Sequence, residues 1–290
     1  MAVSFFHSAY VMDKYASLET AGQTVEYTVD IRDRIYMPMV REKLRPDVLF
    51  SGAADLTPYK LIVSHRQMTL DEGDFLEKIL PWVENGGTWV VGPYTDIFTK
   101  DLARYRNAPF GHLEDWARVE RTYYVPAPSQ YMQGVSDVAL PILVMEDGSE
   151  TRVVSNLCFD ALTPKEGVRI LARYKDFEYL DGFAAITETA VGRGRIILMG
   201  AQLDAEDYRR FIKRIASECG IMPITLGSDN VQVNILEGDY GTVFTAIECE
   251  GRSGEIVIPF DCADIDTGEK YFQDQRLFME EFRSIFAKRT

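Results

Sequence analysis

Positive charge is scarce in this chain. Against 45 Asp and Glu there are only 31 Lys and Arg, a formal net charge of −14. That argues against a general nucleic-acid binder, whose affinity comes mainly from neutralising phosphates with Lys and Arg, and equally against an anionic membrane surface as partner. Cysteine is also sparse: Cys158, Cys219, Cys249 and Cys262 are far apart and form no CxxC, so neither a zinc ribbon nor a disulfide scaffold is suggested. Three isolated histidines, His7, His65 and His112, give no metal signature. Apolar runs such as Ile256 to Phe260 fall far short of the roughly 20 residues a membrane span needs. Ala2-Val3-Ser4-Phe5-Phe6 gives way at once to His7, Asp13 and Lys14, which is no secretory leader. With 46% apolar and 26% charged residues in 290 positions, the expectation is a soluble, cytoplasmic chain of two domains or one large one.

The first two thirds alternate strand and helix signals. Ala9 to Met12 reads as the end of a short strand. From Gln23 to Leu44, Val29, Ile31, Ile35, Met39, Val40 and Leu44 keep rough helical spacing, which Pro38 must kink or interrupt. Val48-Leu49-Phe50 reads as a short strand and Lys60 to Ser64 as one buried on both faces, as in a parallel sheet. Thr69 with Glu72 has the spacing of a capping box. Phe75, Leu76, Ile79, Leu80 and Val83 then share a helix face that Gly86-Gly87 closes, before the strand Thr88 to Gly92. Strand, helix, strand at this spacing is a right-handed crossover unit. Between Arg118 and Thr187 strands prevail, read as a β-rich excursion from the sheet. A strand over Arg195 to Gly200 and a helix capped by Asp204, with Tyr208, Phe211, Ile212, Ile215 and Cys219 on one side, complete the pattern. After Pro223 only strands follow, near 231–236, 242–248, 255–260 and 275–286.

No self-contained active site is visible. The turn after the Trp89–Val91 strand, Gly92-Pro93-Tyr94-Thr95-Asp96, has neither Ser nor Cys at its tip, where an α/β enzyme usually holds its nucleophile. All four cysteines read as buried structural residues. His65 falls at the carboxyl edge of the sheet, where ligand sites of α/β proteins lie, but spacing names no partner for it. Asp96, Glu114 and Asp115 lie near the same edge and are the nearest thing to paired carboxylates for glycoside chemistry; a solvated acidic surface accounts for them as well. Gly192-Arg193-Gly194-Arg195 leads into a strand, not into the helix N-terminus that phosphate binding needs, so it reads as a tight turn with two exposed arginines. Catalytic, cofactor and metal residues are therefore assigned to none.

Several segments do resemble a known family. Asp55-Leu56-Thr57-Pro58-Tyr59-Lys60-Leu61-Ile62-Val63, Asn85-Gly86-Gly87-Thr88-Trp89-Val90-Val91, Val168-Arg169-Ile170-Leu171-Ala172-Arg173-Tyr174, Gly182 to Thr187, and above all Gly192-Arg193-Gly194-Arg195 through Leu203-Asp204 are similar, in order, to the middle domain of glycoside hydrolase family 42 β-galactosidases. Cys262-Ala263-Asp264-Ile265-Asp266-Thr267-Gly268 is similar to the D-x-x-T-G turn of the family's small C-terminal β-domain. The resemblance implies an amidotransferase-like fold that serves in trimerisation, not catalysis. It also implies a longer retaining β-galactosidase parent whose glutamates sit on an N-terminal (β/α)8 barrel. Such a barrel needs about 250 residues, and the similarity here begins near Val3, so the chain is expected to be the barrel-free part of such an enzyme or a relative without one. Cys158-Phe159-Asp160 stands where a Trp-containing segment is expected.

Together these readings predict an α/β fold: a doubly wound, mostly parallel, flavodoxin-like or amidotransferase-like sheet over residues 1–222, with a β-rich excursion, followed by a small all-β sandwich over 223–290. The expected partner is the chain itself, in a homotrimer held by the first domain, with the catalytic barrel of a longer parent as a second. Tyr123, Tyr124, Tyr131, Met132 and Phe159 of the excursion are expected to need a further surface to cover. Two other readings stand beside this one: an amidotransferase-like binder of a small ligand at the sheet's carboxyl edge, and a carbohydrate-binding module using Trp82, Trp116 or Tyr123.

Overall fold

The computed structural model describes residues 1–15, 27–101, 103–105, 111–126, 140–154 and 158–290. Its chain divides into two compact units, one of Met1–Pro38 with Pro46–Gly220, the other of Met39–Arg45 with Ile221–Thr290.

In chain order the first unit begins with β1 (Ala2–Ser4), α1 (His7–Tyr15), α2 (Tyr27–Asp30), a π-helical stretch (Ile31–Tyr36) and α3 (Met37–Arg41), the last running on into the second unit. It continues with β2 (Asp47–Leu49), β3 (Leu61–Ser64), α4 (Phe75–Glu84), β4 (Thr88–Val91), α5 (Leu113–Trp116), β5 (Val119–Pro126), β6 (Ile142–Met145), β7 (Glu150–Arg152), β8 (Cys158–Pro164), β9 (Arg169–Lys175), β10 (Ala184–Val191), β11 (Gly194–Met199) and α6 (Ala205–Glu218). The main sheet runs β2-β1-β3-β4-β11-β10-β9-β6-β7, with β8 on β10 and β5 on β8.

This sheet is mixed, not mostly parallel. From β2 to β11 neighbours run parallel; from β11 outward they run antiparallel. The cause is the length of the connections. Strands separated by helices can cross over and align, whereas tight turns such as Gly192-Arg193, between the paired Val191 and Gly194, permit only antiparallel return. The residues read as an excursion therefore extend the same sheet.

Every residue of β3 and β4 is buried, as two covered faces require. Phe75, Ile79 and Val83 of α4 join Trp89, Phe6 and Ile62 in the core, with Phe6 edge-on to Phe75 at 5.0 Å. Asp204 caps α6 by accepting from the Asp207 N–H at 2.8 Å, which leaves Tyr208, Phe211, Ile212 and Ile215 buried as the pattern predicts. Two local expectations fail. Ala9 to Met12 lies inside α1, not a strand. Thr69 and Glu72 form no capping box: the Thr69 hydroxyl accepts from the Asp71 N–H, Glu72 accepts from the Ser8 N–H at 3.0 Å and from the Ser8 hydroxyl, and α4 starts later, after Asp74. The helix expected over 23–44 is described from Tyr27 onward, Gln23–Glu26 lying outside the described residues, and it carries the wide π stretch just before Pro38. Proline offers no N–H and crowds the carbonyl one turn back.

The second unit holds β12 (Val231–Gly238), β13 (Gly241–Glu248), β14 (Gly254–Val257), β15 (Cys262–Asp264), β16 (Lys270–Tyr271), β17 (Arg276–Met279) and β18 (Ser284–Arg289). A five-stranded antiparallel sheet, β12-β13-β18-β15-β16, and the β14–β17 pair contribute to one core around Val233, Phe244, Ile256, Met279 and Ile285. The turn between β15 and β16 is tied by Asp264, whose carboxylate accepts from the backbone of Asp266 and Thr267 and from the Thr267 hydroxyl. Glu248 fixes another corner by accepting from Asn230 and from the N–H groups of Glu250, Gly251 and Phe282. Residues 39–45 belong here because Lys43 and Arg45 donate to the carbonyls of Gly227 and Val233, while the Ile224 N–H donates to the Lys43 carbonyl at 3.0 Å.

Candidate functional site

The parallel strands β1, β2, β3 and β4 end at Ser4, Leu49, Ser64 and Val91, and the carboxyl edge they form gathers buried polar groups. His65, for which the sequence names no partner, finds one 35 residues earlier. Its Nε2 lies 3.0 Å from Asp30 Oδ2, and Arg66 donates to the same oxygen at 3.2 Å. Arg34 lies 3.4 Å from Oδ1. Burial alone would raise the Asp30 carboxyl, but the hydrogen bond and charge interaction with His65, followed by the charges of Arg66 and Arg34, bring it down to about 2. Burial pushes the His65 imidazole below its ordinary value, and Asp30 only partly offsets this. With its proton on Nε2 the imidazole donates to a carboxylate that can only accept. The other ring nitrogen faces Gly92, where a β-carbon would fall 2.3 Å away. Beside this cluster the Ser4 hydroxyl lies 3.0 Å from that of Ser64 and donates to Gln67 Oε1 at 2.7 Å, and the Trp89 indole N–H donates to Ser64 at 3.0 Å. Among the described residues no serine hydroxyl is seen bonded to His65, so Asp30–His65 lacks the nucleophile that a hydrolytic triad would need.

The turn after β4 is strained, with Tyr94 at φ 60° and Asp96 at φ 58°. Its tip carries the phenol of Tyr94, 4% exposed. Asp96 faces inward and accepts from the backbone N–H groups of His112 and Leu113, the latter at 3.0 Å, and from the Tyr105 hydroxyl at 3.2 Å. It thus holds the start of α5. The His112 imidazole, 3.4 Å from Asp96, is raised above its usual value by that hydrogen bond. Burial raises the Glu114 carboxyl, while Asp115 is exposed. The three acids are neighbours in the fold, but Asp96 serves as a structural anchor.

The remaining candidates separate. Cys158 is buried beside Asp160 and Arg121, and burial followed by the Asp160 charge pushes its thiol well up, the reverse of an activated nucleophile. Arg121 donates to Asp160 at 2.5 Å and lies over the Tyr124 ring at 4.7 Å. Cys262 is buried, but Cys219 is half-buried and Cys249 exposed, because they sit at the end of α6 and in the turn beyond β13, where the core no longer covers them. In the Gly192–Arg195 segment Arg193 is exposed, whereas Arg195 is half-buried and paired with Glu188 at 2.9 Å and Glu218 at 2.7 Å. Gly194 is enforced by packing, since a β-carbon would lie 2.2 Å from the carbonyls of Val83 and Gly87. Among the described residues no group of three His, Cys, Asp or Glu side chains is placed to hold a metal, and no helix is long and apolar enough to cross a membrane.

A feature the sequence reading missed is an aromatic cleft of about 320 Å³ at this edge, lined by Phe5, His7, Tyr10, Thr28 and Phe50. Phe5 and Phe50 follow directly on β1 and β2, so strand pairing sets them side by side, 6.1 Å apart and edge-on. Phe5 stacks on Tyr27 at 5.3 Å, and Arg66 lies over Tyr27 at 5.9 Å, which ties the cleft floor to the Asp30 cluster. Phe50 is 70% exposed. Two aromatic residues directly after short paired strands were the available signal. Of the excursion aromatics, Phe159 is buried and meets Phe177, whereas Tyr123, edge-on to Phe183 at 5.3 Å, keeps 38% of its surface exposed. Tyr131 and Met132 lie outside the described residues. Of the two tryptophans singled out as sugar-binding candidates, Trp116 packs beside Trp89 and His112, and Trp82 is half-buried on α4.

Fold and site together define a sheet protein stiffened by buried ion pairs at its carboxyl edge and faced there with aromatic rings, with an all-β unit in the same chain. The chain belongs to the β-galactosidase trimerisation domain family, whose profile matches residues 9–222. Among curated proteins, it is 22% identical over 255 residues to β-galactosidase YesZ of Bacillus licheniformis, covering 86% of this chain and 36% of that protein. It is 23% identical over 273 residues to β-galactosidase LacA of Lactobacillus acidophilus, covering 90% and 37%. Among solved structures, a β-galactosidase from Bacillus circulans matches 99% of this chain and 41% of its own at a TM-score of 0.81 with 15% identity. The family 42 β-galactosidase Gan42B from G. stearothermophilus matches 100% and 40% at 0.78, also with 15% identity. The chain thus spans little more than a third of the length of the curated relatives it matches.

Proposed function

We propose that this chain is the non-catalytic assembly region of a β-galactosidase-like glycoside hydrolase, closing three copies into a ring through its first unit. The reading rests on the family match over residues 9–222 and on the aromatic cleft at the carboxyl edge. An exposed apolar face of this kind marks an interface, and a head-to-tail contact that closes makes a ring. The charge of −14 per chain opposes association, so the contact has to be largely apolar and large; obligate interfaces typically bury more than about 2,000 Å². The first unit is taken to be this trimerisation domain, and the second the family's small C-terminal β-domain. The parallel order β2-β1-β3-β4-β11 is read as the doubly wound, flavodoxin-like core that the amidotransferase-like resemblance implies. In the parent, a (β/α)8 barrel would carry the acid and the nucleophile of a retaining hydrolysis of β-galactosides. Free cysteines suit a reducing, cytoplasmic setting.

Light scattering behind gel filtration is expected to give about three times the 33.0 kDa of one chain, and a concentration-independent monomer would defeat the assembly reading. The isolated chain should not hydrolyse nitrophenyl-galactoside, because positioned catalytic groups supply most of the rate enhancement. Turnover above a buffer blank that survives repurification and scales with protein would defeat the non-catalytic reading.

A further inference from the structure

At the amino edge of the sheet, away from the aromatic cleft, the segment entering β3, the helix α4 and the Asn85-Gly86-Gly87 turn enclose a cleft of about 710 Å³, within the range of roughly 300–1,000 Å³ common for small-molecule sites. One wall is the Trp82 indole. Its N–H donates to the Tyr59 carbonyl at 3.1 Å, and its ring lies against Gly87, where a β-carbon would sit 2.5 Å from the ring atoms. The indole is thus held in one orientation before any ligand arrives. Around it stand Asp55, Glu77, Lys60 and Lys78, two anions and two cations, so the cleft carries no net charge of its own. The Asp55 carboxylate accepts from Thr57 and the Lys78 ammonium donates to the carbonyls of Ala53 and Ala54. Glu77 and Lys60 are exposed and available. A second depression of about 690 Å³ shares Lys60 and Gly86 and runs on to Arg193 and Glu218, which makes the whole an elongated trough.

This combination selects a ligand chemistry. A fixed aromatic surface suits an apolar face, and a rim of mixed acceptors and donors suits groups that do both at once. A pyranose ring offers a C–H face and hydroxyls that each donate and accept. The trough's length calls for more than one ring. The charge around Trp82 is balanced, and Arg169 and Arg195 further along are paired with Glu146, Glu188 and Glu218, which favours a neutral sugar over an acidic one. A β-augmenting peptide is disfavoured, because β3 and β4 are interior strands paired on both sides. We infer that the trough binds a short neutral oligosaccharide, stacked on Trp82 and hydrogen-bonded by Glu77, Lys60 and Asn85. Such a site lies beyond the assembly role and does not depend on it.

The test is calorimetric titration of the full chain with β-1,4-galactotetraose and, in parallel, cellotetraose, followed also by tryptophan fluorescence. Trp89 is fully buried and Trp116 lies outside the trough, so a sugar-dependent change that Trp82→Ala abolishes reports on Trp82. Saturable binding of at least one tetrasaccharide is expected, with Kd on the order of 0.1–1 mM. Trp82→Ala should weaken it at least about tenfold, and Glu77→Ala, an exposed change that leaves the fold intact, should weaken it severalfold. If Trp82→Ala does not fold, Glu77→Ala and Lys60→Ala carry the test. No saturable binding of either sugar, or binding that these substitutions leave unchanged, overturns the proposal. The mass by light scattering is read separately, so failure here leaves the assembly reading untouched.

Discussion

Asp30→Ala should destabilise the first unit by about 3–5 kcal/mol, the cost of removing one partner from a buried ion cluster. Asp30 is fully buried and Arg66 is 3% exposed, so water cannot replace the lost carboxylate, and His65 loses the acceptor of its Nε2–H. The same group predicts how the natural chain responds to acid. Its folded carboxyl titrates at about 2 against an ordinary 3.8, so the unfolded chain takes up its proton first as pH falls. The stabilisation is full above about pH 4 and is lost as pH drops toward 2, on the order of 2 kcal/mol in all. His65 adds to this from higher pH. Its folded value lies below the ordinary 6.5, so the unfolded chain binds the proton first and stability falls as pH drops below 6.5. Urea midpoints at pH 7, 5 and 3 would show both steps in the natural chain and a flatter course below pH 4 in Asp30→Ala. A variant as stable as the parent at pH 7 would refute the structural role given to this cluster.

If the chain assembles as proposed, Phe50→Asp should convert it into single chains of 33.0 kDa with unchanged far-ultraviolet circular dichroism. Phe50 is 70% exposed within one chain, so the substitution should cost the isolated fold no more than about 0.5 kcal/mol. At an apolar contact it would bury an unpaired carboxylate, which costs far more. Tyr179→Asp is the control. Tyr179 is 67% exposed but stands on the antiparallel side of the sheet, and its replacement should leave the mass unaltered. The opposite pattern, dissociation by Tyr179→Asp alone, would move the interface to the antiparallel side.

What could be read from the sequence follows from how local each signal is. The α4 and α6 faces and the strands β3, β4 and β11 were legible because burial imposes a period or an unbroken apolar run within a few residues. The Asp30 cluster was not, because its members are 30, 34, 65 and 66, and only the packing of one helix against a strand end brings them together. Thr69 and Glu72 had the right spacing for a cap, but Glu72 is captured by Ser8, a contact 64 residues away that outweighs a local preference. Parallel and antiparallel strands look alike as apolar runs, so the change of direction beyond β11 was hidden. The sequence shows that the elbow-like turn lacks Ser and Cys, but its strain at Tyr94 and Asp96 is a backbone property that composition does not carry. Phe50 was read as strand, and only the end of β2 at Leu49 turned it outward into the cleft.

The short strap of residues 39–45 has a consequence for synthesis on the ribosome. Lys43 and Arg45 reach their carbonyl partners on Gly227 and Val233 across 184 and 188 residues of chain. At the usual 5–20 residues per second, the strap emerges roughly 10–40 s before those partners exist. During that interval the first unit can take shape around a segment it will not keep, and the second unit cannot finish until the last strands have been made. Its completion therefore waits for synthesis of the strands through β18. A clone beginning at residue 221 would encode the strands of that unit but not the early piece that closes it.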